Sequence, residues 1–184
     1  MAATHELIEV VTASGGSTAY LEFTSIPQTF TNLEVVWSLK LDSFNPTVAT
    51  QHQMYWRVNG SSTSSVYPNM YRGMFYGTQT ALWKYDSSTN YEIQVGLASA
   101  NTPNMNCGLL NIYDYTSTAG TGKSIQGMNS CMQYDANSYD RTLLITSGNL
   151  NIAEAVTSLK LSAYNDEVIA DDSNIRLYGI NRSA

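Results

Sequence analysis

A chain of 184 residues is long enough to bury a hydrophobic core without metal ions or disulfides, and we expect one domain over residues 1–184. Its net charge of −6 and its lack of any Lys/Arg cluster argue against nucleic acid or an anionic membrane surface as a direct partner. Only 13% of the residues are charged and 11% are aromatic, with thirteen tyrosines, a composition that favours β-strands over helices.

The N-terminal region carries no targeting signal that we recognise. It lacks a basic segment followed by an unbroken apolar run, which a signal peptide would need. No window elsewhere reaches the roughly 18 apolar residues that a membrane-spanning helix requires. We therefore expect a protein that is made in a cytosol and does not enter a membrane.

The first elements in chain order are a strand over 5–12, a turn at Gly15-Gly16, and two strands that meet at Pro27. In both later strands apolar residues alternate with polar ones, which gives a β-strand one buried and one wetter face. We expect Ser25 and Ile26 to be extended as they approach Pro27. The residues expected on the buried face are Ala19, Leu21, Phe23, Leu33, Val35, Trp37, Leu39 and Leu41.

The remaining chain continues as short strands separated by turns. Asn59-Gly60 is the strongest hairpin signal, residues 135–139 read as a loop, and a single helical turn is predicted over 149–156. Further strands are expected over 51–58, 71–76, 80–85, 91–97, 109–115, 123–134, 142–146, 158–164 and 174–180. About ten strands at this spacing, with almost no helix, predict an all-β fold, an antiparallel β-sandwich of the jelly-roll type.

Two stretches resemble ligand-binding loops without meeting their requirements. Residues 116–124, TSTAGTGKS, end like a phosphate-binding loop, but Ser117 stands where the first glycine belongs and a strand follows instead of a helix. Residues 165–172 contain several carboxylates that could bind calcium, but they lack the alternating spacing of a calcium loop. We interpret the first as a loop before a strand and the second as a solvated turn.

The sequence offers no catalytic signature. There is no G-x-S-x-G or H-E-x-x-H motif, and we expect the two histidines, His5 and His52, to lie in strands and face solvent. We expect Cys107 and Cys131 to be reduced, half-buried residues, since a reducing compartment disfavours the alternative of a bridge between neighbouring strands. No catalytic, cofactor-binding or metal-binding residue is predicted, and no enzymatic activity.

The aromatic middle of the chain is the strongest candidate contact region. We expect about half of this set to close one end of the core and the others to be exposed. Exposed aromatic side chains either anchor a protein interface or stack on sugar rings, and the low charge favours protein contact. The set comprises Tyr67, Tyr71, Phe75, Tyr76, Trp83 and Tyr85.

Three stretches resemble small structural proteins of tailed bacteriophages. They are ASGGSTAYLEFTSIPQTFTNLEVVWSL, GLLNIYDYTSTAGTGKSI and AVTSLKLSAYNDEVIADDSNIRLYGI, which together are spread over residues 13–180. The last departs from the family pattern, because residues 169–174 lack the glycine that usually precedes the final strand. The resemblance implies a virion component with a sandwich or jelly-roll fold, and the family supplies no catalytic residues.

Within a virion, the sequence favours a place on the head. The compact chain shows no fibrous or coiled-coil extension, which a tail fibre usually has. We therefore expect a capsid decoration (cement) protein that binds the major capsid protein and self-associates, with a trimer favoured. The alternative is a tail-associated or receptor-binding module that contacts host glycans.

Overall fold

The computed structural model describes residues 4–42, 53–62, 66, 70–76, 79–85, 93–97, 106–119, 122–135, 138–163 and 167–181. These residues contain twelve strands and no α-helix. Within the same ranges there is no helix with the length and apolarity to cross a membrane. The strands are β1 (Thr4–Thr12), β2 (Tyr20–Phe23), β3 (Asn32–Leu39), β4 (Gln53–Val58), β5 (Met70–Tyr76), β6 (Gln79–Tyr85), β7 (Ile93–Leu97), β8 (Asn106–Tyr113), β9 (Lys123–Asp135), β10 (Ser138–Leu150), β11 (Leu159–Ala163) and β12 (Asn174–Asn181).

The strands form two antiparallel sheets with jelly-roll topology. Eight of them pair in nested fashion: β1 with β12, β2 with β11, β3 with β8, and β4 with β7. These pairs alternate between the sheets, so that one contains the order β1-β12-β3-β8 and the other β2-β11-β4-β7. A long antiparallel ribbon rolled onto itself gives this arrangement. The predicted all-β, jelly-roll-like sandwich is confirmed, with twelve strands where about ten were expected.

Two inserted pairs of strands widen one sheet. β9 and β10 lie between β8 and β11 in the sequence, and they extend the sheet beyond β8. The β5–β6 hairpin, inserted between β4 and β7, continues it beyond β10. The result is an eight-stranded sheet against a four-stranded one, and the wide sheet has one broad face that does not meet the other sheet.

The core lies between the two sheets and contains the predicted apolar stripe. Every stripe residue from Leu33 to Leu41 is buried, as are Leu21 and Phe23, but Ala19 precedes β2 and is exposed. Trp56 of the four-stranded sheet packs against the wide sheet, since its ring lies 6.1 Å from that of Trp37, and within its own sheet it lies 6.4 Å from the ring of Phe23. Burial of such large side chains is the main source of stability in a fold of this kind.

The predicted helical turn over 149–156 is wrong. β10 runs to Leu150, and the chain then continues without regular structure to β11. The carbonyl groups of Ile152 and Glu154 accept hydrogen bonds from Lys123 Nζ, at 3.2 and 2.7 Å. They are directed toward that distant side chain and do not close a turn of helix.

Two further local predictions need correction. Ser25 is not extended, because its φ of +55° turns the chain so that the Ile26 amide donates to the Thr157 carbonyl at 3.0 Å. The loop expected over 135–139 is largely strand. β9 and β10 pair without interruption, from Lys123 opposite Leu150 at one end to Asp135 opposite Ser138 at the other. Sequence periodicity locates the middle of a strand better than its ends, since cross-strand pairing decides where the strand stops.

Candidate functional site: the outer face of the wide sheet

The outer face is the side of the eight-stranded sheet that is turned away from the four-stranded sheet. Burial alternates along its strands as the pleat requires. In β9, for example, Ile125 and Gly127 are buried whereas Gln126 and Met128 are exposed. The same alternation in β3, β8, β10 and β12 identifies the side chains that point outward.

One residue from each of six adjacent strands lies on a single line across this face. The pairing register connects them step by step from β1 through β12, β3, β8 and β9 to β10. We call this set the outer row: Val10, Arg176, Val36, Leu109, Met128 and Ile145. Five of its six members are apolar, which is unusual for the solvent side of a sheet.

The outer row leaves apolar surface accessible to solvent. Met128 is 48% exposed, Val10 46% and Ile145 37%, and Leu7 on the same face is 51% exposed. Val36 and Leu109 fill the middle of the row and are half-buried by their neighbours. Isolated exposed hydrophobic residues are common, but a contiguous apolar strip marks an interaction surface.

The outer face carries little charge. Where side chains are described, the charged groups on the strands of this face are Glu34 and Arg176, and Glu34 accepts from His5 Nε2 at 3.0 Å. The His5 ring also packs against Tyr178, with centroids 4.6 Å apart. His5 is thus exposed, as predicted, but it belongs to a small polar group at the margin of the apolar row.

The outer face of the four-stranded sheet has the opposite character. Its register aligns Glu22, Lys160 and Arg57 across β2, β11 and β4. Lys160 Nζ lies 3.7 Å from the centroid of the Tyr20 ring, so the exposed aromatic residue of this sheet already has a cation over one face. Where side chains are described, the sandwich therefore has one charged face and one mainly apolar face that carries few charges.

Lys123, the lysine of the phosphate-loop-like stretch, is a structural residue. It begins β9, is buried, and donates from Nζ to the carbonyls of Ser117, Ile152 and Glu154 at 2.9, 3.2 and 2.7 Å. Burial lowers its pKa, and the nearby carboxylate of Glu154 opposes that shift. The ammonium group holds two loops together and is fully occupied by this role.

Tyr115 closes the same end of the sandwich. Its hydroxyl donates to the Pro27 carbonyl and accepts from the Phe30 amide, while its own carbonyl accepts from the Val156 amide at 2.9 Å. Burial raises the pKa of the Tyr115 hydroxyl, and the hydrogen bond from the Phe30 amide opposes the shift. The proline corner is thus fixed to the segment before β11.

The acidic loop is integrated into the opposite end of the sandwich. Ile169 is buried and bridges Thr18 and Leu41, whereas Asp171 is exposed and accepts from the Gly16 amide at 3.0 Å. Among the described residues, no three His, Cys, Asp or Glu side chains are grouped in a way that could hold a metal ion. Within the described residues 167–172, the solvated-turn interpretation therefore holds for Asp171 and Asp172 and not for the buried Ile169.

Several residues singled out from the sequence lie outside what the structure describes. This applies to His52, to Tyr67, and to the side chains of the other aromatic residues in the candidate contact set, whose backbone forms β5 and β6. The side chain of Cys131 is likewise outside the described set. Cys107 is a free thiol and is exposed on the outer face, not half-buried as predicted.

The outer row was missed by reasoning from the sequence alone. Its signal was present, since Val36 and Leu109 are apolar residues at positions that alternation assigns to the wet side of their strands. A single strand with such a residue is unremarkable. Only the register between strands shows that these residues form one line.

Comparison with protein-family models, with curated proteins and with solved structures finds no match for the chain.

Proposed function

We propose that this chain is a non-enzymatic structural protein of a bacteriophage virion, a capsid decoration protein that binds the major capsid shell and stabilises it. The observation that carries the proposal is the outer row, an apolar and nearly uncharged line across six strands. Such a surface suits assembly with another protein. The resemblance of three stretches to phage structural proteins, together with the jelly-roll architecture common in viral coat proteins, supports the virion as its location.

The mechanism is mechanical. Apolar contacts at the decoration sites would bridge neighbouring shell subunits and resist the pressure of packaged DNA. An icosahedral shell offers many equivalent positions, so contacts that are weak individually become strong collectively when the chain binds as an oligomer. The end of the sandwich that Tyr115 and Lys123 hold by hydrogen bonds suits a rigid part that must keep its shape under load.

An add-back experiment tests the proposal. Phage heads from a strain in which this gene is deleted are incubated with the purified protein, separated from free chain by sedimentation, and heated. We expect saturable binding at a copy number in the tens or hundreds, and release of DNA at a higher temperature than from undecorated heads. Absence of binding to the heads would overturn the proposal.

The alternative of a glycan-binding tail module has its own measurement. A glycan array with the same protein would show saturable binding that is lost in Trp83→Ala or Tyr85→Ala. That result, with no binding to heads, would replace the decoration role by receptor recognition. A decoration protein gives the reverse pattern, since its contacts are with shell subunits.

A further inference from the structure

We propose that the outer face binds the outer face of a second copy of this chain, so that two wide sheets pack face to face. This deepens the proposed function, since it rests on the outer face being a protein contact surface and names the partner. Sheets that pack in this way bury their apolar side chains between them, as in the core of a sandwich. The relevant side chains are those of the outer row and Leu7.

The distribution of charge favours a second copy as the occupant. Each chain carries a net charge of −6, so two copies repel wherever their acidic surfaces approach within the screening length of about 8 Å. The exposed acidic residues beyond the outer face lie mainly in loops and strand ends: Asp42, Asp114, Glu154, Asp171 and Asp172. Among the described residues, the outer face, where Arg176 balances Glu34, is where like-charge repulsion between copies is smallest.

The size of the face suits a reversible pair. Six strands spaced about 4.8 Å apart span roughly 24 Å, and three rows of outward residues cover roughly 20 Å along the strands. Two such faces would bury about 1,000 Å² in total, which is at the lower limit for a specific interface. We therefore expect association that depends on protein concentration in solution and is strengthened by avidity on a lattice.

Pairing through the sheet edge is disfavoured by the structure of β1. This strand ends the wide sheet, but a β-bulge between Leu7 and Glu9 interrupts its register. Glu6 and Glu9 are exposed beside it and would approach the same residues of a second copy. Bulges and edge charges are the features that natural sheets use against edge-to-edge pairing. Pairing through the β1 edge is therefore less favourable than pairing through the broad face.

A face that meets its own copy is isologous and closes at two chains. The inference therefore replaces the trimer favoured from the sequence with a dimer. Cys107 provides a natural reporter, because its exposed thiol lies on the outer face two residues from Leu109. Covering the face would protect this thiol from reagents.

Sedimentation velocity of the purified chain across micromolar concentrations, with maleimide labelling of Cys107 read by peptide mapping, tests the inference. We expect the mass to rise from 20.2 kDa toward twice that value, with labelling of Cys107 slowing in parallel. The double variant Met128→Glu/Ile145→Glu should stay monomeric and label quickly at all concentrations. The matched control, Ala19→Glu/Thr24→Glu, adds the same charge at exposed positions near β2 and should associate like the wild type.

A monomer at every concentration, a mass of three chains, or a dimer in which Cys107 stays reactive would each overturn the inference. The wild-type chain gives both readouts, so the test does not depend on the folding of the variant. It also uses no phage particle. A failure here leaves binding to heads standing, and a failure to bind heads leaves self-association standing.

Discussion

The indole ring of Trp37 lies directly over Gly108, its partner in the register of β3 and β8. A Cβ atom at position 108 would collide with the ring. From this position the indole Nε1 reaches one strand further and donates to Asn129 Oδ1 at 2.9 Å. The glycine thus makes room for the largest side chain of the stripe and lets its polar atom find a buried partner.

Replacing Trp37 by alanine should be among the most destabilising changes in the protein. The side chain is 2% exposed, so its loss leaves a cavity between the sheets and an unpaired buried Oδ1 on Asn129. We expect a loss of about 3–5 kcal/mol in the free energy of unfolding. Urea denaturation followed by circular dichroism measures it. An unchanged midpoint would mean that the tryptophan does not support the core.

Gly108→Ala should also destabilise the protein, because a side chain at this position collides with the indole ring of Trp37. The added methyl group forces Trp37 or the β9 backbone to move, and overpacking of this kind costs about 1–3 kcal/mol. A double-mutant cycle with Trp37→Leu isolates the cause. If the clash is with the indole, Gly108→Ala costs much less in the Trp37→Leu background. Equal costs in both backgrounds would locate the problem in the backbone instead.

Lys123→Met should destabilise the end of the sandwich that Lys123 and Tyr115 close. Methionine matches the length of the lysine stem but leaves three carbonyl groups without their donor, at a cost of at least about 1–3 kcal/mol. Lys160→Met is the matched control. Its ammonium group lies over the face of the Tyr20 ring on the charged sheet, and the change should cost less than about 1 kcal/mol. Comparable losses in the two variants would contradict a structural role for the buried ammonium.

The alkaline stability of the protein should depend on Tyr115 and Lys123 with opposite signs. The pKa of Tyr115 in the fold is raised above its unfolded value of 10.0. Its contribution to the free energy of unfolding is therefore fully present below pH 10.0 and is lost as the pH rises through the raised pKa. The pKa of Lys123 in the fold is lowered below its unfolded value of 10.5. Between the lowered pKa and pH 10.5 the unfolded chain therefore binds more protons than the folded one, and the contribution of Lys123 to the free energy of unfolding grows as the pH rises.

Urea titrations of the wild type, Tyr115→Phe and Lys123→Met at several alkaline pH values separate these effects. The stability difference between the wild type and Tyr115→Phe should shrink above pH 10.0, whereas the deficit of Lys123→Met should widen toward pH 10.5. Differences that stay constant with pH would show that neither group titrates differently in the folded and unfolded chains.

The sequence predicts the strands and the sandwich well because they depend on local alternation. β3 is the clearest case, since its apolar stripe is fully buried and its polar positions point outward. The same logic locates β12 and a turn at Asn59-Gly60, where both residues have positive φ. The hairpin predicted at this turn is wrong, because β4 pairs with β7 and β11 in one sheet whereas β5 pairs with β6 and β10 in the other. These features need only the period of the pleat and the steric freedom of a few turn residues.

What depends on contacts between distant residues could not be predicted. Lys123 resembled a phosphate-loop lysine, and only the fold brings it to the carbonyls of Ile152 and Glu154. The outer row likewise exists only once Val36 and Met128 are placed in register through β8. A period of two indicates which side of a strand is dry, but not which strands are neighbours.

Cryo-microscopy of phage heads that carry this protein shows whether the outer face is a contact surface of an assembled virion, as we propose. We expect many copies on the outside of the shell, paired through their wide sheets, with Met128 and Ile145 covered. A map with only a few copies at the tail, or with the outer row facing solvent in every copy, would contradict it.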